Sequence, residues 1–479
     1  MFLNANVYLD IFPIGDMEEW VRRIVSEEKK KRGIPLEPKL LNGNYYLYHA
    51  TTRYDRSTKN SRKVSEYIGR ITENGIVEAH HSKRSIYEYG NSQLVYSLSG
   101  QLMERLRKHF PETWESIYAL SLIRIIDPVS LGSAKERWEK LHISTFMDAH
   151  LSPNTLTDLL HQIGSDMASQ YSFFQELMSD SKKLAFDLSS IFSRSENINM
   201  ARAGHNPDHT YLPQINMALL FDVERYMPVF LKPLDGSVRD VKSLRKVLQE
   251  VDFHGVLVLD RGFASYDLAE IMDSGMDFVM PLRRNSELMD YGMDLASSFM
   301  YRDRGILCGF RKHGNYRIYM YQDQSLMAEE SSTYIKLISE GKRKQSQFRE
   351  ASKRFGKISI LSNIRDEPVS IYMIYKQREE IEQAFDATKN EMENDKTYLR
   401  SDESVRGYFF ISFLSLYLYY SIFVLIRAAD LTGKLSVKDA LLRYSRVYMI
   451  DDGRREIMSE VPASVEKLDK MLGTNLFPK

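Results

Sequence analysis

Leu184-Ala-Phe-Asp187-Leu-Ser-Ser-Ile-Phe192 is a run of apolar and small residues, of strand length, interrupted by one acid. Val256-Leu-Val-Leu-Asp260-Arg-Gly262 is a continuous apolar run closed by another. Apolar runs that do not alternate with polar residues read as strands buried on both faces, in the middle of a parallel or mixed sheet. A carboxylate inside or at the end of such a strand is costly unless it is paired, hydrogen-bonded or metal-bound, so each Asp calls for a partner. For either Asp alone, a turn or cap acid is the plain alternative. Gly262 marks a tight turn at the end of its strand, where ligand sites of open α/β sheets lie.

A third acid stands in a charged row. Tyr375, Arg378, Glu382 and Lys389 are spaced three, four and seven apart, and at ~100° per residue they occupy an arc of roughly 60° on a helix. Ile374, Ile381, Phe385 and Met392 form an apolar stripe ~60° further round, which predicts a helix packed on a core with the charged row at its rim. From spacing alone the plainer reading is a solvated amphipathic helix with an Arg378–Glu382 pair one turn apart, so spacing by itself does not make a site. A carboxylate held between an arginine and a lysine, with a phenol one turn away, also suits phosphate and metal. Asp187, Asp260 and Glu382 then make a carboxylate triad.

Tyr375-Lys-Gln-Arg378-Glu-Glu-Ile-Glu382-Gln-Ala-Phe-Asp-Ala-Thr-Lys389 matches Tyr-x2-Arg-x3-Glu-x6-Lys at every position. In this the chain resembles the DDE transposases of bacterial insertion sequences, over a stretch from about Asp187 to the helix after Arg406. The resemblance implies an α/β fold: a ribonuclease-H-like mixed sheet flanked by helices, a mainly β domain inserted before the catalytic Glu helix, and an N-terminal mixed and helical DNA-binding region. It implies Asp187, followed two residues later by Ser189, Asp260 and Glu382 as catalytic metal ligands for two Mg²⁺ or Mn²⁺ ions, with Asp187 bridging them. Arg378 and Lys389 would hold phosphates, and Tyr375 would donate a hydrogen bond to a backbone oxygen. The implied activity is metal-dependent cleavage at the ends of an insertion sequence and strand transfer into target DNA, of the cut-and-paste type. A nuclease of the same fold and a non-mobile DNA-binding descendant are the alternatives. Partners would be double-stranded DNA, both terminal inverted repeats and target, and a second copy in a synaptic homodimer, with no membrane. The compartment would be a bacterial or archaeal cytoplasm, at the nucleoid. Where this family often carries a tryptophan after the signature arginine, Glu379 stands here, and Trp20, Trp114 and Trp138 all precede the core, which leaves hairpin formation open.

The separations accommodate that fold. Asp187 to Asp260 is 73 residues, room for strands at Ile215 to Val223 and Tyr226 to Pro233 and a helix from about Val238 to Val251. Asp260 to Glu382 is 122 residues, and an insertion at 283–367 absorbs the excess. Within it Gly309 to Tyr321 alternates loosely, with Gly314-Asn315 as a hairpin signal. Lys342 to Lys357 carries seven basic residues against one acid; Lys342, Arg343, Lys344, Lys353 and Arg354 are candidates for phosphate contact, a solvated basic helix being the alternative. The expected division is an N-terminal region at 1–178, with no zinc or helix-turn-helix motif clear enough to name base-reading residues and assigned to terminal repeats by resemblance, a catalytic core at 179–282 and 368–430, the insertion, and a C-terminal helical region at 431–479 suited to self-association.

Composition sets outer limits. The 479 residues, 43% apolar and 27% charged, are those of an ordinary globular protein with room for about three domains. Lysine plus arginine and aspartate plus glutamate both number 65, so DNA contact has to come from local patches such as Lys29-Lys-Lys-Arg32 and Arg53 to Arg70. A single cysteine, Cys308, excludes an internal disulfide framework and a cysteine-rich zinc site, and suits a reducing cytosol. Met1 to Pro13 has no basic start or long apolar core of a signal peptide.

Gly407 to Ile426 holds 20 residues without a charge, enough to span a bilayer. Its tyrosines and serines are spread around the helix instead of gathered at the ends, which favours a buried core helix. Nearer the N-terminus, Tyr45 to His49 and Lys63 to Gly69 predict short strands with a basic turn between them. Ser99 to Met178 reads as helical, with Ser152 and Pro153 as a helix start. Gly204-His-Asn-Pro-Asp-His209 reads as a structured turn, since Pro207 between the histidines opposes a helical zinc pair.

Overall fold

Val21, Ile24 and Val25 lie on one face of α1 (Glu19–Arg32) and are buried, as helical periodicity requires. Lys29 to Arg32 fill its last turn, where cations complement the exposed carbonyls, and Gly33 at φ 64° ends it in the left-handed conformation that a side chain disfavours. The computed structural model describes residues 17–477 apart from 56–59, 79–84, 194, 196, 205–211, 239, 274, 388–395, 398 and 454. Its chain forms two compact units, 1–85 with 451–457 and 86–450 with 458–479.

In the first unit α1 packs on an antiparallel meander of β1 (Leu36–Leu41), β2 (Asn44–Asp55), β3 (Asn60–Thr72) and β4 (Gly75–Glu78). Leu36, Leu47 and Ile71 close the core beneath the helix. The two central strands run longer than the short ones expected from Tyr45 to His49 and Lys63 to Gly69. The basic turn between them lies outside the described residues.

The second unit is built on one mixed sheet. Its strands are β5 (Lys183–Ser193), β6 (Gln214–Asp222), β7 (Met227–Asp235), β8 (Val256–Val258), β9 (Asp277–Pro281), β10 (Ser297–Tyr301), β11 (Arg304–His313), β12 (Tyr316–Asp323), β13 (Lys357–Ser362) and the short β14 (Lys396–Thr397). The order is β10-β11-β12-β13-β9-β8-β5-β6-β7, with β14 against β5. Pairing is antiparallel through β5, β6 and β7, parallel across β5, β8 and β9, and antiparallel again from β9 outward. Every residue of β6 is buried, which explains why its sequence does not alternate. Helix 240–248 follows β7, inside the span expected from about Val238 to Val251.

Residues 283–367 do not stand apart from this sheet. Strands β10 to β13 extend it beyond β9, with Gly314 at φ 60° in the turn between β11 and β12, where the hairpin signal lay. The long connection between β12 and β13 holds helix 324–339, capped by the Asp323 side chain accepting from the Leu326 amide. Lys342, Arg343, Lys344, Lys353 and Arg354 are all exposed on that connection.

Helix 402–428 is the uncharged stretch singled out in the sequence, and it is the one described helix long and apolar enough to cross a membrane. It is a core helix: 67% of its most apolar window is buried, against helices 114–126 and 153–165 and strand β7. Its polar groups are satisfied internally, with Ser415 Oγ donating to the carbonyls of Ser121 at 3.1 Å and Ile411 at 2.9 Å. Gly164 and Gly407 let two helices touch by backbone, since a Cβ on Gly407 would lie 2.0 Å from the Leu160 carbonyl oxygen. This packing draws residues 90–178 into the same core as the sheet, so the compact units part at residue 85 and not at 178. Helix 153–165 begins as expected, with Ser152 accepting from the Thr155 amide and Pro153 in the first turn. Helices 437–444 and 463–472 also pack on the long helix and on each other.

Candidate active site

Ala185 pairs with Val258 in the parallel ladder between β5 and β8. Two residues further on each strand stand Asp187 and Asp260, the latter still extended at φ −84° and ψ 164°. Side chains two apart leave a sheet on the same face, and adjacent strands lie about 4.8 Å apart, so the two carboxylates emerge side by side. Beyond Asp260 the chain turns sharply through a short 3₁₀ segment, Arg261–Phe263, the tight turn expected at Gly262. Phe186 and Phe263, with ring centres 5.1 Å apart, seal the apolar side beneath.

Glu382 arrives on a helix laid over β5 and β6. The row from Tyr375 onward is not one straight helix, as the spacing predicted, but two, Pro368–Lys376 and Glu379–Asp386. Gln377 and Arg378 join them in a tightened turn. Arg378 N–H donates to the Tyr375 carbonyl at 3.1 Å and Ile381 N–H to the Arg378 carbonyl at 3.0 Å, both three residues back. Tyr375 is consequently buried at 9% exposure instead of standing at the rim, with the Arg378 guanidinium carbon 5.9 Å from its ring centre. Ile381 is fully buried, as the apolar stripe required. Lys389 and Met392, and the expected turn at His205 to His209, lie outside the described residues.

Arg378 sits among the acids. Its guanidinium reaches Glu382 at 2.8 Å and Asp260 at 3.6 Å, and its side chain is only 13% exposed against 55% and 39% for the two partners. Asp187 is half-buried and accepts a hydrogen bond from the Leu188 amide at 2.8 Å. Burial first, and the negative charges of Asp260 and Glu382 after it, push the Asp187 carboxyl up to about 6, against the pull of the Leu188 amide and Arg378. All three acids therefore share one electrostatic environment. Among the described residues, however, no three His, Cys, Asp or Glu side chains are gathered closely enough to hold a metal ion as they stand.

The donor set nevertheless fits a hard divalent cation. Three carboxylates offer only oxygen ligands, the preference of Mg²⁺ and Mn²⁺, and a cationic group already occupies the space between two of them.

Two further contacts hold the Glu382 helix and were not read from the sequence. Arg427, at the end of helix 402–428, stacks 3.5 Å from the Tyr226 ring centre and lies 3.6 Å from Glu380. Burial holds the Glu380 carboxyl above its usual range despite that partner. Glu379, in the place of the family's tryptophan, meets Lys376 at 2.7 Å and Arg302, in the β10–β11 turn, at 3.4 Å. The one available signal was that Arg427 is the first charge after the long uncharged run.

The family model described as the transposase DDE domain matches residues 179–418, and the chain belongs to that family. It is a DNA transposase, an enzyme acting on DNA. Among solved structures it is similar to a piggyBac transposase synaptic complex with hairpin DNA, at 11% identity and a TM-score of 0.41, covering 81% of this chain and 86% of that one. No curated protein matches its sequence.

Proposed function

We propose that this transposase cleaves the ends of its own mobile element and joins the released 3′ ends to target DNA, with Asp187, Asp260 and Glu382 holding two divalent ions, Mg²⁺ or Mn²⁺. The observation that carries the reading is the shared register of Asp187 and Asp260 on neighbouring parallel strands, with Glu382 tied to the same edge through Arg378. Strand order supports a ribonuclease-H-like core: β7-β6-β5-β8-β9, antiparallel over the first three and parallel over the last three.

Bound divalent ions would supply activation of the attacking hydroxyl and stabilisation of the leaving oxygen. The chain's own residues do the rest. The three carboxylates fix where the scissile phosphodiester must lie. Arg378 and Lys389 neutralise phosphate charge beside it, Arg378 by a two-pronged contact of which a lysine is incapable. Buried Tyr375 sets the position of Arg378. The exposed Lys342, Arg343, Lys344, Lys353 and Arg354 take the backbone of flanking DNA.

The first unit, with Lys29, Lys30 and Lys31 exposed at the end of α1, takes the terminal repeats together with residues up to 178. Two ends held together require two copies, and 431–479 is the candidate surface for their pairing.

The test uses full-length protein and a DNA fragment carrying the short inverted repeats that flank its gene. Nicking at the repeat boundary is expected with Mg²⁺ or Mn²⁺ and not with EDTA. Asp187→Ala, Asp260→Ala and Glu382→Ala should each abolish it while end binding in a gel-shift assay persists. Undiminished cutting by any one variant removes that residue from the site.

A further inference from the structure

Arg378 stands where the acids need positive charge. Its two terminal nitrogens face different carboxylates, Glu382 at 2.8 Å and Asp260 at 3.6 Å, and it is the least exposed of the three side chains. A guanidinium remains protonated throughout the working pH range, so it cannot yield its place by losing charge. A divalent ion requires carboxylate oxygens at roughly 2.0–2.2 Å, whereas the guanidinium nitrogens stand 2.8 and 3.6 Å from theirs. Two cations between the same pair of acids also repel each other.

We propose that Arg378 is the resident cation of the metal-free site, occupying the space between Asp260 and Glu382, and that it must swing out before a divalent ion can be gathered there. The inference rests on the metal-site reading above. The backbone at Arg378 provides the means. It lies at the junction of two helices where hydrogen bonds run three residues back, a tightened turn of the kind found at hinges. The acid that Arg378 would meet on leaving is a phosphate of the DNA backbone, for which its fork is matched. Metal entry and capture of DNA are then coupled through one side chain, and by linkage each favours the other. Without DNA the site holds its own counter-ion and takes metal weakly.

The coupling is measurable without any cleavage. Mn²⁺ alone is titrated into full-length protein in the absence of DNA, and free Mn²⁺ is followed by its paramagnetic resonance signal. Arg378→Gln should bind Mn²⁺ about tenfold more tightly than the unmodified protein, because the competing charge is gone. Arg378→Lys, whose single ammonium cannot span both acids, should fall between the two. Melting temperature should drop in Arg378→Gln without metal and recover with Mn²⁺, as unpaired carboxylates regain a cation. If Arg378→Gln does not fold, Arg378→Lys against the unmodified protein decides alone. Equal or weaker Mn²⁺ binding by the folded variants, with binding still lost in Asp260→Ala, overturns the resident-cation role and leaves the metal site standing. Mn²⁺ binding unchanged in Asp260→Ala overturns the metal-site reading itself.

Discussion

Replacing Asp187 by Asn should make the metal-free transposase more stable while depriving it of activity. In the native site the Asp187 carboxyl titrates at about 6 against an ordinary 3.8. The folded protein therefore binds more protons than the unfolded chain between about pH 4 and 6, and stability falls as pH rises through that window. Above it the full penalty is present. A displacement of that size corresponds to about 3 kcal/mol at most, and relaxation around the site reduces it to about 1–2 kcal/mol. Asn retains an acceptor oxygen for the Leu188 amide, so the main hydrogen bond survives. In EDTA at pH 8 the Asp187→Asn variant should melt about 1–2 °C higher, and the advantage should shrink as pH falls through about 6 and vanish only below about pH 4. Saturating Mn²⁺ should reverse the order, because only the carboxylate gains from the ion. Calorimetry at matched pH on both proteins makes the comparison. A variant that is no more stable at pH 8 in EDTA, or whose advantage is independent of pH, would refute the electrostatic account.

Other outcomes follow from particular contacts. Gly407→Ala should cost at least about 2 kcal/mol, because the new Cβ would sit 2.0 Å from the Leu160 carbonyl oxygen; denaturant unfolding measures it. Arg427→Met should destabilise more than Glu380→Gln, since it leaves a half-buried carboxylate without its cation, and the double variant should lose less than the sum, as thermal melts of all four proteins would reveal. Lys342→Gln, Arg343→Gln and Lys344→Gln combined should weaken binding to DNA of any sequence and lower the slope of log K against log salt by about 2–3, read from fluorescence anisotropy across salt concentrations.

Local chemistry is legible in the sequence. Non-alternating apolar runs identified β5 and β8 as interior strands, because burial on both faces removes the polar half of the pattern. The cap at Ser152, the turn at Gly314 and the buried character of Gly407 to Ile426 were equally local, each set by a residue's own hydrogen bonding or conformational preference. Where partners come from distant parts of the chain, no pattern in one segment carries the information. That Asp187 and Asp260 stand side by side depends on the register of a parallel ladder whose strands are 73 residues apart in the chain. Arg378 was read with Glu382 as neighbours on one helix, yet its second partner, Asp260, belongs to the sheet beneath. The break at Gln377 and Arg378 likewise escaped the periodicity, since both residues keep right-handed helical dihedrals and only the hydrogen-bond ladder shifts. Residue types and spacing decided which side chains could do chemistry on a phosphodiester. Strand register and helix packing decided which charges face one another, because electrostatic energy depends on distance in space and a sequence specifies only distance along the chain.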